Sequence, residues 1–169
     1  AKDLLKELGC NVYKWLMLST HYRNPLNFTD EVLGNVKKEV AKVENILKQT
    51  SLYLQVNQCL DKDFCKDSVD KMVEALSDDL NTSLALSQIL GQVKVLNQLM
   101  RVKEKDNQEI SRGYQTLIHM LDVMGFIHET KQLTSEEIDM YNLWMEEKAN
   151  KNFEKADQLR NQLQEKGII

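Results

Sequence analysis

Apolar residues recur every three to four positions through most of this chain, and a single proline, Pro25, interrupts the pattern. That spacing places the apolar side chains on one face of an α-helix. The 169 residues include only six glycines, which are few for the many turns of an all-β fold. The sequence therefore predicts a mainly α fold in which long helices bury a shared core.

Six helices are predicted before residue 126. The one that starts at Thr29 is about 25 residues long, and short connections make the later helices antiparallel neighbours. Val73 is assigned to the buried face of the helix over residues 67–76. The six predicted helices are one over residues 2–8, a second capped by Asn11 and ended before Pro25, the helix from Thr29, one over residues 67–76, one from about Asn81, and one ended by Gly125.

Two more helices are predicted after a polar linker over residues 126–133. Thr134 and Glu137 have the spacing of a capping box, which marks the start of a helix. That helix is expected to place Tyr141 and Met145 on one face with Ile138. The last helix is predicted over residues 153–166, and residues 168–169 are expected to begin a strand.

The charge and cysteine content limit the function. A net charge of −4 and a pI near 5.5 argue against a general nucleic-acid binder. Residues 1–60 nevertheless carry eight basic and six acidic side chains, which leaves room for a local RNA contact. Cys10, Cys59 and Cys65 form no C-x-x-C pair, so reduced thiols in a cytosolic protein are expected.

Asp78 and Asp79 are adjacent carboxylates, a pattern that invites a metal or acid–base proposal. Helix capping is the favoured interpretation, because Asp and Asn accept hydrogen bonds from the free N–H groups of a helix start. Either Asp79 or Asn81 is therefore expected to cap the helix that begins near Thr82.

Three stretches of the sequence have combinations of residues that the needs of an ordinary amphipathic helix do not explain. They read L-S-T-H-Y-R-N-P-L-N-F over residues 18–28, L-S-D-D-L-N-T over 76–82, and K-N-F-E-K-A-D-Q-L-R over 151–160. In order and spacing they resemble the S-x-H-Y-R-x-P-L-N-F, M-x-D-D-F-N-T and K-D-F-x-x-A-D-x-I-R motifs of class I cysteinyl-tRNA synthetases. The resemblance covers essentially the whole chain.

The resemblance implies an antiparallel helical bundle of the class I synthetase anticodon-binding type. It also implies a small C-terminal α/β appendage, incomplete in this sequence. On this basis residues 1–28 are expected to be a remnant of the stem-contact region, 29–133 the bundle, and 134–169 a truncated anticodon-recognition hairpin.

The same resemblance implies the tRNA-binding C-terminal part of a cysteine–tRNA ligase, which positions tRNA(Cys) for ATP-dependent aminoacylation by an N-terminal domain outside this chain. The sequence contains no Gly-rich phosphate loop, no His-x-Gly-His and no Lys-Met-Ser-Lys-Ser. ATP and zinc are therefore expected in that catalytic domain, and this chain alone is predicted to hold no cofactor and to be non-catalytic. The expected setting is a cytoplasmic monomer with tRNA(Cys) as partner, no membrane and no protein partner.

The candidate RNA-binding residues are Lys148, Lys151, Phe153 and Arg160, because they interleave cations with an aromatic ring. The resemblance favours RNA contact, since the corresponding family segment, A-R-x-x-K-D-F, lies against the anticodon. Here Glu147-Lys148 stands for Ala-Arg and Asn152 for Asp.

The alternative for this segment is a solvated amphipathic hairpin with Phe153 in its core. Glu146, Glu147 and Glu154 favour that alternative, because they neutralise the cations.

Arg23 is a fifth candidate RNA contact, together with its neighbours His21 and Tyr22. A structural role is favoured for these three residues. In the family their segment lies between the catalytic domain and the bundle, so Arg23 is expected either at that junction or facing the tRNA.

Two other functions remain open. One is the C-terminal part of a related ligase that joins cysteine to an amino-sugar in thiol biosynthesis and needs no anticodon reader. The other is a helical interaction module without an RNA role, which the acidic pI supports. Residues 153–160 favour the tRNA ligase.

Overall fold

The computed structural model describes the backbone of residues 2–169 and the side chains of residues 5–169. Helices dominate this range, and no strand occurs within it, so the predicted mainly α class is confirmed. The helices are α1 (Lys2–Leu8), α2 (Cys10–Leu18), α3 (Asp30–Val56), α4 (Lys66–Ser77), α5 (Thr82–Arg101), α6 (Asn107–Val123), α7 (Ser135–Ala149) and α8 (Phe153–Glu165).

Helix α3 is the longest element, with 27 residues, and spans roughly 40 Å at 1.5 Å per residue. The hydroxyl of Thr29 caps its start by accepting a hydrogen bond from the Val32 N–H at 3.2 Å. Asp30 and Glu31 in the first turn favour the positive end of the helix dipole. The predicted start and length of this helix are confirmed.

The core of the bundle lies between α3, α4, α5 and α6, with α2 added along one side. Helices α5 and α6 pack tightly against each other at Gly113, where the buried Gln92 amide donates to the Gly113 carbonyl at 2.8 Å. Several side chains here are completely excluded from water. They include Leu54, Met72, Ala85, Ile89, Leu96, Ile110 and Leu117.

Helix α2 shares this core with the bundle. Trp15 and Leu16 are 2% and 1% exposed. The Trp15 indole donates to the Glu39 carboxylate of α3 at 2.8 Å, and its ring packs against Phe126 with centroids 5.2 Å apart. Residues 10–18 are thus packed into the bundle, and the boundary expected at residue 28 stays a prediction.

Two sequence assignments need correction. Asn11 does not cap α2, because α2 begins one residue earlier at Cys10, with Gly9 at the cap position. Val73, expected inside, is 41% exposed. In α4 the small Ala75 takes the buried position one turn after Met72, and this turns Val73 toward solvent.

Residues 126–133, expected to be a polar linker, form a strap that is fixed to the bundle at both ends. Phe126 is buried at 6% exposure. The Asn11 side-chain amide donates to the Ile127 carbonyl at 2.6 Å and accepts from its N–H at 2.9 Å. At the far end, the Gln55 amide donates to the Lys131 carbonyl at 3.0 Å and accepts from the Leu133 N–H at 2.8 Å. The strap fixes where α7 begins.

The C-terminal residues form a helical hairpin, not an α/β unit. The predicted capping box of Thr134 and Glu137 is present at the start of α7. After α8 the chain turns at Gly167, whose φ is 68°, and the Ile168 N–H donates to the Leu163 carbonyl at 2.9 Å. Ile168 packs at 3% exposure and forms no strand, because the described residues include no neighbouring strand to share backbone hydrogen bonds.

None of the helices in the described part of the chain is both long and apolar enough to cross a membrane.

Candidate nucleic-acid interface

The turn between α7 and α8 is tight and conformationally unusual. The N–H groups of Lys151 and Asn152 donate to the carbonyls of Lys148 and Glu147 at 3.2 and 2.9 Å. Lys151 has a φ of 59°, a left-handed conformation that glycine or asparagine usually adopts. The backbone therefore closes the end of α7 with a lysine at the apex of the turn.

Glu147 fastens this turn to α8. Its carboxylate accepts from the Asn152 amide at 2.8 Å and from the Lys155 ammonium. The Lys155 hydrogen bond is the main reason that the pKa of Glu147 lies below its ordinary value. Glu147 was expected to neutralise the candidate cations, but its charge is engaged with Lys155.

Phe153 is the first residue of α8, and its side chain is 65% exposed. The alternative that placed this ring in the hairpin core is therefore wrong. Helix α8 packs through Ala156 and Leu163, which are 5% and 0% exposed. Phe153 lies three residues before Ala156, which rotates it roughly 60° away from that buried face.

The three candidate cations of the hairpin, Lys148, Lys151 and Arg160, are exposed and make no ion pair within the described part of the chain. Arg160 follows Phe153 by seven residues and so shares its face of α8. Lys148 and Lys151 flank the end of α7. The hairpin thus brings together four of the five candidate residues.

Arg23 lies elsewhere, against the turn between α4 and α5. Its guanidinium donates to the Asp79 carboxylate at 3.1 Å and to the Tyr22 hydroxyl at 3.0 Å. The Tyr22 hydroxyl donates to the same carboxylate at 2.7 Å, and His21 Nε2 lies 3.0 Å from the Asp79 carbonyl oxygen. The bond to Asp79 is the main reason that the pKa of Tyr22 is raised.

Of the two residues expected to cap the helix that begins near Thr82, Asp79 and Asn81, only one does so. Asn81 is the residue that caps α5, and its side chain accepts from the Leu84 N–H at 3.1 Å. Asp79, with a φ of 52°, turns its carboxylate to Tyr22 and Arg23 instead. Within the described residues, no three His, Cys, Asp or Glu side chains are close enough together to hold a metal ion.

The cysteines are free thiols in different surroundings. Cys10 is exposed, whereas Cys59 and Cys65 are partly buried. Burial raises the pKa of Cys59, while a hydrogen bond from the Ser68 hydroxyl at 3.3 Å lowers that of Cys65.

Sequence reasoning missed two contacts of the hairpin. One is the pair of hydrogen bonds that the Glu147 carboxylate accepts from Asn152 and Lys155, which cross the turn and leave no periodic signal in the sequence. The other is the Lys148 ammonium above the Trp144 ring, 5.3 Å from its centroid. Their four-residue spacing on α7 was the available signal for this second contact.

Residues 71–128 match the DALR domain family. The chain is 32% identical over 170 residues to the cysteine–tRNA ligase of Mycoplasma mycoides subsp. mycoides SC, and 29% identical over 168 residues to that of Onion yellows phytoplasma. The cysteine–tRNA ligase of Oceanobacillus iheyensis is 27% identical over 178 residues.

These similarities cover 99%, 99% and 100% of this chain but only 38%, 37% and 38% of the three relatives, in the same order. The chain therefore spans less than two fifths of the length of the curated relatives it matches. The resemblance to cysteinyl-tRNA synthetases that the three motifs indicated is confirmed.

Proposed function

We propose that this chain, similar over nearly all its length to part of the cysteine–tRNA ligases, binds tRNA(Cys) as the C-terminal part of such an enzyme. Its α7–α8 hairpin is the proposed contact surface. The observation that supports this most directly is the exposed ring of Phe153 on a hairpin whose cations Lys148, Lys151 and Arg160 form no ion pair in the described part of the chain.

The chemistry of these groups suits a single-stranded RNA loop. Lys148, Lys151 and Arg160 supply positive charge for phosphates, and the Phe153 ring offers a face on which an unpaired base can stack. The net charge of −4 belongs to the whole chain, whereas phosphate contacts depend on the local surface. Of the three acids near the turn, Glu147 is ion-paired with Lys155, and Glu146 and Glu154 are exposed. Binding at this remote hairpin orients the acceptor end for reaction elsewhere.

The aminoacylation step, with its ATP and zinc, is assigned to a catalytic domain that lies in the part of the relatives not matched by this chain. By itself the chain is expected to leave cysteine unactivated. Cysteine-dependent pyrophosphate exchange by the purified chain would contradict this assignment. With this role in translation, the protein is expected in the cytoplasm.

Arg23 remains a candidate RNA contact. Its bonds to Tyr22 and Asp79 support a second role, in which it joins residues 18–28 to the bundle at the junction with the catalytic domain.

The test uses the protein encoded by the complete open reading frame that contains this chain. Lys148→Gln combined with Lys151→Gln should weaken tRNA(Cys) binding roughly tenfold in a fluorescence anisotropy titration. The matched control is Lys71→Gln with Lys94→Gln, which removes the same charge from exposed positions of α4 and α5. Unchanged affinity in the first variant, or an equal loss in both, would contradict the proposal.

A further inference from the structure

We infer that Trp144 is a second base-stacking residue of the hairpin, and that an unpaired RNA base binds on the ring face that the Lys148 ammonium covers. The inference rests on the proposed tRNA-binding function and extends the contact surface from the turn onto α7.

The Trp144 ring is oriented by one neighbour on each side along α7. Tyr141, one turn earlier, meets it edge to face, with centroids 5.4 Å apart and an angle of 64° between the planes. Lys148, one turn later, places its ammonium 5.3 Å from the ring centroid. The ring thus has a T-shaped contact with Tyr141, and the Lys148 side chain lies over one of its faces.

Lys148 can leave that face without losing an ion pair. It forms none within the described residues, and the acid nearest to it along the helix is Glu147. The carboxylate of Glu147 is bonded to Asn152 and Lys155 on the other side of the turn. A base can therefore replace the ammonium on the Trp144 ring while Lys148 turns to the phosphate of the same nucleotide.

Trp144 keeps part of its surface open to solvent although it lies on the packed face of α7 with Met140 and Tyr141. Leu143 and Met145, which precede and follow it, point to the open sides of the helix and are 37% and 46% exposed. The other tryptophan, Trp15, is 2% exposed and bonded to Glu39. Trp144 is half-buried and is the more accessible of the two.

The partner chemistry is an unpaired nucleotide. Aromatic rings bind bases of any sequence through their π-faces, and those faces are already occupied within a duplex. Two RNA probes therefore separate stacking on Trp144 from general attraction to phosphate. One is an RNA stem-loop with an unpaired loop, and the other is a fully paired duplex of the same stem.

Two substitutions test the role of the ring in the protein encoded by the complete reading frame. Trp144→Leu keeps an apolar side chain but removes the π-face, and it should lower affinity for tRNA(Cys) about tenfold. Trp144→Phe restores a ring and should bind nearly as the wild type does. Thermal unfolding of both variants, measured alongside, identifies any loss that comes from folding.

Fluorescence gives a readout that a structural role would not affect. The tryptophan emission that is present in the wild type and absent in Trp144→Phe should be quenched by tRNA(Cys) and by the looped RNA, but not by the paired duplex. If that emission is unchanged at saturating tRNA, or if Trp144→Leu binds with wild-type affinity, Trp144 is not a stacking residue.

The two proposals fail in different ways. If the Lys148 and Lys151 double variant loses affinity while both Trp144 variants bind normally, the hairpin is the RNA contact but the stacking role of Trp144 is refuted. If none of these variants affects binding, the proposed function of the hairpin fails as well.

Discussion

The Asp79 carboxylate accepts a hydrogen bond from the Tyr22 hydroxyl at 2.7 Å, across a separation of 57 residues. This contact joins two of the three sequence motifs, because Tyr22 belongs to residues 18–28 and Asp79 to residues 76–82. These two motifs therefore form one structural unit at the turn between α4 and α5.

Replacing Asp79 tests this unit. Asp79→Asn tolerates the φ of 52° but loses the charge, and it should lower the free energy of unfolding by about 1 kcal/mol, a small value because the pair is half exposed. Asp79→Ala should cost about 2 kcal/mol, since alanine also resists the left-handed backbone. Urea denaturation measures both.

The matched control is Asp70→Asn on the exposed side of α4, which should leave stability unchanged. Equal effects of Asp79→Asn and Asp70→Asn would mean that the motif contact does not stabilise the fold.

Two helical glycines offer opposite predictions. A Cβ at Gly113 would lie 3.0 Å from Leu96 Cδ2 in the packed contact between α5 and α6, whereas a Cβ at Gly91 meets nothing within 4 Å. Gly113→Ala should therefore destabilise the protein by about 1–3 kcal/mol, and Gly91→Ala should stabilise it by about 0.5–1 kcal/mol. If thermal unfolding gives both changes the same stabilising sign, the Leu96 side chain yields to the added Cβ and the contact at Gly113 is not tight.

The bond between Glu147 and Lys155 predicts a pH dependence of the hairpin turn. Because the folded state holds the pKa of Glu147 below its ordinary value, this contact stabilises the turn fully at pH values above that ordinary value. The contribution is lost as the pH falls through the lowered pKa. NMR titration of the Glu147 carboxyl carbon measures this shift.

Lys155→Met keeps the aliphatic stem and should return the Glu147 pKa toward its ordinary value. The control Lys94→Met, at an exposed position of α5, should leave the Glu147 pKa unchanged. If Glu147 titrates normally in the wild type, the bond does not hold the turn in solution.

Much of the fold follows from local sequence signals. The cap at Thr29 and the capping box at Thr134 act over three residues, and the apolar stripe of α3 repeats along a single helix, so each could be read without tertiary information. The role of Asn11 could not be predicted in this way, because its amide forms a hydrogen bond with the backbone of Ile127, 116 residues away.

The candidate site was only partly predictable, for a similar reason. The cations and Phe153 are visible as a pattern, but their exposure depends on which face of α8 packs, and Ala156 and Leu163 decide that. A sequence also does not reveal that Glu147 bonds across the turn and leaves Lys148 without an acidic partner.

The most direct test of the central claim is the salt dependence of tRNA(Cys) binding. A cation that contacts phosphate releases a counterion, so the slope of log affinity against log salt counts such contacts. The Lys148→Gln and Lys151→Gln double variant should reduce that slope by about 1 to 2 units, while the Lys71→Gln and Lys94→Gln control keeps the wild-type slope. Wild-type affinity together with a wild-type slope in the hairpin variant would contradict the claim that the α7–α8 hairpin binds the tRNA.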